Sequence, residues 1–228
     1  MTVETAALNA GLLWFCVPDR EIRSVATAIA RRGPSRIRLA FHSGGALLSR
    51  ELDALRKVGV AVASVHPLMT FVPGAWPSLA GVPFALEGDT AATKLAQRIA
   101  CDLGGESFSL HARRKAAYHT WATMTSPLLL AYLVSLEDAA RAAGLGRDQA
   151  RRMSLPIIRQ TLANYGSLGP RHSFSGPFIR GDAETVARHL ALLKKNRKVR
   201  AVYAALAQAA IERLPVKNRR EMRRLLGD

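Results

Sequence analysis

Cysteine is nearly absent. Cys16 and Cys101 are the only two, too few for a disulfide framework or a four-thiolate zinc site. Acidic residues are scarce as well, 17 against 33 Lys and Arg, which leaves a formal charge of +16. Those carboxylates form no facing pair for glycoside chemistry. The six His have no metal-ligand spacing, so no metal site is expected. The opening MTVETAALNAG lacks a basic stretch followed by an apolar one, so a cleaved signal peptide is not expected and the cytoplasm is the default location. Nucleotide and hydrolase signatures are missing too: there is no Walker lysine loop, no H-E-x-x-H and no G-x-S-x-G elbow. No G-x-G-x-x-G follows any predicted strand. Gly144-Leu145-Gly146 runs on into Arg147-Asp148-Gln149 after a helix, which is the wrong context for a dinucleotide turn.

What is present is globular in composition, 49% apolar and 22% charged over 228 residues, enough for one large domain or two small ones. The first half alternates short apolar runs with helix-like segments. Strands are predicted at 11–17, 36–41, 60–65, 84–87 and 107–111, with helices over 20–31, 49–57 and 90–103. Asp19 and Asp89 stand as N-caps, and Gly33-Pro34 and Gly104-Gly105 as stops. Strand starts recur about once per βα unit, the pattern of a parallel sheet with helical crossovers.

After residue 112 the strand signal ends. Helices are predicted over 113–143, 147–165, 184–195 with Asp182 as its cap, 199–213 and 216–226, with a Gly/Pro/Ser-rich connection at 166–181. The chain thus reads as α/β followed by all-α, with domains 1–112 and 113–228. Residues 116–136 carry no formal charge and reach transmembrane length, but Thr, Ser, His and Pro dilute them, so a buried helix of a helical domain or dimer is expected instead. Half of the excess charge lies in the last 35 residues, where 11 Lys and Arg face three acids. Such a tail suits nucleic acid or another polyanion; equally, it reads as the solvated face of terminal helices, since no aromatic residue is interleaved for base stacking.

Polar loops close three of the strands: Pro18-Asp19, His42-Ser43-Gly44-Gly45 and His66-Pro67. Ligands of open α/β sheets bind at that carboxyl edge, so these loops form a candidate site, with His66 aimed by the proline that follows it. Lys115 and His119, four apart, share one helix face. A partly buried lysine there would have a lowered pKa and could hand a proton to a carbonyl oxygen; the alternative is a solvent-facing Lys beside a hydrogen-bonded core His.

The motifs taken together resemble a known family. Val17-Pro18-Asp19, His42-Ser43-Gly44, Ser64-Val65-His66-Pro67-Leu68, Glu87-Gly88-Asp89, Lys115 with Tyr118-His119, and Ser175-Gly176-Pro177 with Arg180-Gly181-Asp182 and His189-Leu190 occur in the order and spacing of bacterial Rossmann-like proteins with a C-terminal helical domain of unknown function. Those are relatives of 6-phosphogluconate dehydrogenase, ketopantoate reductase and pyrroline-5-carboxylate reductase. The resemblance implies a partial Rossmann-like sheet, a 6-phosphogluconate-dehydrogenase-like helical domain that forms a homodimer, and an NADP- or NAD-dependent oxidoreductase acting on a small molecule. It implies Lys115 as proton donor, with His119 orienting it and His66 beside them. Pro18, Asp19, Ser43 and Gly44 would lie near the nicotinamide, and Ser126, Gly176 and Pro177 near the substrate. Two departures from the pattern stand out. The first strand and the Gly-rich turn for the pyrophosphate have no counterpart in these 228 residues, so the expected form is degenerate or truncated. Ser126-Pro127 stands where relatives carry Asn, and Pro127 should kink the helix.

Overall fold

In a computed structural model, the described residues are 8–33 and 36–227. The opening residues 1–7 and the expected helix stop at Pro34 lie outside them. Contacts divide the chain into two compact units, Met1–Ser126 and Pro127–Asp228.

The first unit is built on five strands, β1 (Leu12–Phe15), β2 (Leu39–His42), β3 (Ala61–Pro67), β4 (Pro83–Gly88) and β5 (Glu106–Ser109), lying in chain order. β1, β2 and β3 are parallel. They are joined by α1 (Ile22–Arg31), then by a 3₁₀ turn over Ser49–Leu52 that leads into α2 (Asp53–Arg56). β4 and β5 are parallel across α3 (Thr90–Asp102). The expectation of a wholly parallel sheet needs one correction: β3 and β4 are antiparallel. The connection 68–82 contains no helix, and only an antiparallel pair can be joined without such a crossover.

The sheet is buried on both faces, which is why its strands read as nearly continuous apolar runs. On one face Phe15, Ala40 and Val62 pack with Ile22, Ala26 and Ile29 of α1 and with Leu52 and Leu55. On the other, Phe41, Ala63, Val65, Phe84 and Leu86 meet α3 through Ala92, Ala96 and Ala100. Spacing of four puts those alanines on one helix stripe, and their small size lets the helix lie close to the sheet. Gly88 has φ 140°, and a Cβ there would fall 2.3 Å from the Val62 carbonyl oxygen. No other residue fits that approach.

Two of the three expected aspartate caps are not formed. Asp89 precedes α3 without a side-chain cap bond; its carboxylate instead accepts from the Val62 N–H (2.9 Å) and from Arg56 Nε. With the Asp89 N–H donating to the Val62 carbonyl, this residue satisfies both polar groups at the head of β3. Asp19 begins a 3₁₀ turn, Asp19–Glu21, that precedes α1, and makes no cap bond either.

α4 (Lys115–Thr125) groups with the first unit, whereas the sequence pattern opened the helical domain at 113. Its Lys115 and Tyr118 are buried and hydrogen-bonded to Ser64 and His66 of β3. The 113–143 segment is interrupted where Pro127 was expected to act: Ser126 leaves helical geometry at φ −123°, ψ −75°.

The second unit is all helical: α5 (Pro127–Ala140), α6 (Arg147–Ser173), α7 (Pro177–Arg180), α8 (Ala183–Leu193), α9 (Arg197–Arg213) and α10 (Arg219–Leu226). α6 runs beyond the expected end at 165, broken at Gly169, whose φ of 73° is left-handed. Its core gathers Val186, Leu190, Ile211, Val216 and Met222. Asp182 caps α8 through the Thr185 N–H (3.0 Å), as the sequence suggested, and Asn196 caps α9 through the Val199 N–H. Among the described residues no helix is long and apolar enough to cross a membrane.

Candidate functional site

The site begins with register. Phe15 pairs with His42, His42 with Ser64, and Ser64 with Glu87. In-register residues of neighbouring strands share a face, so three polar side chains stand side by side on one face of the sheet, with His66 two residues beyond Ser64 on the same face. All three lie toward the edge where β1, β2 and β3 end.

His42 is fully buried. Its Nδ1 accepts from the Gly44 N–H (3.1 Å), so Nε2 carries the proton and donates to the Leu48 carbonyl (3.0 Å). Burial first, and then the Lys115 charge, push its pKa down. This neutral imidazole therefore folds the His42-Ser43-Gly44-Gly45 turn onto itself. Trp14 Nε1 donates to Ser43 Oγ (2.9 Å) and fixes that hydroxyl. A Cβ at Gly44 would meet Asp19 Oδ1 at 3.1 Å, so the carboxylate reaches over the turn. At Gly45 a Cβ would lie 2.7 Å from His66 Nε2 and 2.5 Å from His119 Cδ2. Both imidazoles thus converge on the backbone of the turn, and only glycine leaves them room.

Lys115 is the centre of the arrangement. It is 1% exposed, and its Nζ donates to Ser64 Oγ at 2.6 Å. Among the described residues no carboxylate lies within ion-pair distance of it. Burial lowers its pKa to about 8 against the opposing pull of Glu87 and Asp19. One turn along, Tyr118 shares a 2.8 Å hydrogen bond with His66 Nδ1. Burial raises the Tyr118 phenol to about 12. Burial, then Lys115 and His119, bring His66 down to about 4. At neutral pH His66 is uncharged and acts through hydrogen bonds, while Lys115 sits near the point where it gains or loses its proton. Glu87 is held from the other side, accepting from the Ser49 N–H (2.7 Å) and Oγ (2.9 Å), with Arg56 donating to Ser49 Oγ.

Of the residues singled out from sequence, Lys115, His66, His119, Ser43, Gly44 and Asp19 come together here; Pro18 adjoins Asp19 at the exposed rim. Ser126 is the half-buried C-cap of α4. Gly176 and Pro177 belong to the second unit, where they open α7. Sequence reasoning took Gly45 only as part of the candidate loop and gave no individual role to Ser64, Tyr118, Trp14 or Glu87. A usable signal existed for two of them: Tyr118 lies three residues after Lys115 on the same helix face, and Ser64 is the single polar residue in the run 60–65.

The nicotinamide cofactor that the sequence resemblance implies can be set against these groups. The double-glycine turn, which lets its backbone approach closely and is flanked by the Ser43 hydroxyl, fits the reactive ring end. The sequence contains no Gly-rich turn for the pyrophosphate.

No curated protein matches the sequence at a significant level. Among solved structures, a Bacteroides fragilis protein assigned as an NADP oxidoreductase is similar at 19% identity and TM-score 0.73, over 92% of this chain and 79% of that one. A protein from Thermotoga maritima is similar at 22% identity and TM-score 0.69, over 95% and 77%. A pyrroline-5-carboxylate reductase from Coxiella burnetii is similar at 13% identity and TM-score 0.55, over 88% and 76%. At these identities the likeness establishes the fold, a Rossmann-like sheet followed by helices. A model for a domain of unknown function, DUF2520, matches residues 82–210, more than half of the chain and spanning the Glu87-Gly88-Asp89, Lys115 and Tyr118-His119 motifs, and the chain belongs to that family.

Proposed function

We propose that this protein is an NAD(P)-dependent oxidoreductase of the cytoplasm that reduces the carbonyl or imine of a small acid, with Lys115 as proton donor. The observation that carries this reading is Lys115 itself: a buried ammonium beside a double-glycine turn, poised near pH 8 and hydrogen-bonded to a single hydroxyl. A donor matched to the working pH is what general acid catalysis requires. The Bacteroides fragilis protein assigned as an NADP oxidoreductase and the Coxiella burnetii pyrroline-5-carboxylate reductase support the same class.

In this reading Ser43 and Gly44 hold the nicotinamide ring, with Pro18 and Asp19 at its rim; the bound cofactor supplies a hydride. Lys115 delivers a proton to the oxygen or nitrogen that becomes negative. His66, kept neutral and oriented by Tyr118, and His119 beside it fix the substrate by hydrogen bonds. Ser126, at the end of α4, is a further substrate contact. Because Lys115 must be protonated to act, activity should fall as pH rises through about 8. Isothermal titration of the full chain with NADPH and with NADH tests the reading; no heat at millimolar cofactor would overturn it.

The helical unit supports a homodimer. α6 is 27 residues long and buries only Ala150, while Leu130, Met153, Ile157, Leu162 and Leu168 are more than half exposed, an apolar surface of the kind that marks an interface. A polyanion-binding scaffold is the second reading. Lys194, Arg197 and Arg200 line a cleft of the helical unit whose wall, among the described residues, has no acidic side chain. Retention on heparin or RNA that does not weaken between low and moderate salt would count against it.

A further inference from the structure

The chain has seven lysines, and Lys115 is the one that is buried. An ammonium carries three donors. Among the described residues, Ser64 Oγ is the only acceptor hydrogen-bonded to Lys115. Ser64 is itself fully buried, in a strand whose neighbouring positions, Val62, Ala63 and Val65, are apolar core. Packing alone would be met there by alanine. The hydroxyl has a defined direction: it donates to the Gly44 carbonyl (3.4 Å), which leaves a lone pair facing Nζ. Gly44 is in turn fixed by its N–H bond to His42. One continuous path therefore runs from the turn through Ser64 to the lysine.

We propose that Ser64 is the positioning residue of Lys115, holding Nζ against the Gly44 turn and keeping it in the ammonium form. The proposal rests on the reading of Lys115 as proton donor for its functional meaning, but not for its test. The charged and titratable groups around the pair are Asp19 from the turn after β1, His42 on β2, His66 on β3, Glu87 on β4, and Tyr118 and His119 on α4. Asp19 and Glu87 favour the charged lysine, and burial opposes it. The Ser64 lone pair is the one direct contact that favours it. Removing that acceptor leaves the ammonium buried and unbonded, so its proton is lost at lower pH.

The experiment is an NMR titration of the full chain carrying ¹³Cε-labelled lysine, without cofactor or substrate, with the Lys115 resonance identified by its loss in Lys115→Met. Ser64→Ala should move the Lys115 titration down by about one pH unit or more, a tenfold or greater change in proton affinity. Ser64→Thr, which keeps the hydroxyl, should restore it, whereas Ser64→Val, of nearly the same shape, should not. Equal midpoints in the Thr and Val variants would overturn the proposal, as would an unshifted midpoint in a folded Ala variant. In the wild-type chain, the absence of a nuclear Overhauser contact between the Lys115 ammonium protons and Ser64 Hβ would overturn it whatever the variants do. Failure to bind NADPH leaves this titration unaffected, so the two claims fail separately. In an active enzyme, the alkaline limb of the kcat/KM profile should move with the NMR midpoint, which loss of packing alone would not cause.

Discussion

The two units of this chain treat polarity in opposite ways. The sheet unit buries His42, Ser49, Ser64 and Lys115 and gives each a hydrogen-bond partner. The helical unit, among its described residues, buries no polar side chain completely, yet leaves Leu130, Met153, Ile157, Leu162 and Leu168 in the open. Burying a polar group is costly unless its partners are in place, so the first pattern marks a site under tight geometric control. Exposed apolar surface on long helices is costly in the other direction and is relieved by a partner. The contrast matches the proposed reading, in which chemistry belongs to the first unit and association to the second.

The largest expected effect is on chemistry. Lys115→Met should lower turnover of a keto or imino acid with NADPH by about 10²–10⁴-fold while leaving cofactor heat unchanged. It should also raise the unfolding midpoint at pH 7, since a buried cation lacking a carboxylate partner is replaced by an apolar side chain of similar length. Loss of both binding and fold would instead mark Lys115 as structural. On the other side of the comparison, Leu130→Asp combined with Ile157→Asp should convert a dimer to monomer at micromolar concentration. Sedimentation velocity reads this directly, and unchanged sedimentation would remove these helices from the interface.

The sequence made the sheet unit's strands and their carboxyl-edge loops legible because apolar runs and Pro/Gly turns report burial and chain reversal locally. The antiparallel β3–β4 pairing was not legible, since strand direction depends on what 68–82 does and that stretch carries no periodic signal. Asp89 shows the same limit in reverse. Its position before a helix satisfies every local rule for a cap, but an unpaired N–H at Val62, 27 residues away in sequence, takes its carboxylate. Lys115 and His119 were visible as one helix face. Ser64 stood out only as the one polar residue of its run, and a lone serine there gains its meaning only when β3 lies under α4.

Within the sheet unit, Gly45→Ala sharpens the site's geometry. The new Cβ would stand within 3 Å of both His66 and His119, so those rings must move, at a cost of about 1–3 kcal/mol. The same substitution at Gly146 of the helical unit, where a Cβ meets nothing within 4 Å, should be nearly neutral. Equal denaturation midpoints for the two variants would show that the imidazoles yield freely.

The smallest expected effect is the pH dependence of stability, and its sign follows from the depressed pKa values. His66 titrates at about 4 when folded and about 6.5 when unfolded. Its contribution is complete above about 6.5 and is lost as pH falls toward 4, because the unfolded chain binds the proton first. His42 acts in the same direction, its pKa lowered mainly by burial. Lys115, at about 8 when folded, is already protonated in both states below neutrality and drops out of this window. The unfolding midpoint should therefore fall between pH 7 and pH 5, and His66→Asn should make that fall shallower, with His42 supplying the remainder. An equally steep fall in the variant would mean that His66 is protonated in the folded protein at pH 5. The Tyr118 bond would then join an imidazolium to a phenol oxygen, and His66 could itself donate a proton to substrate.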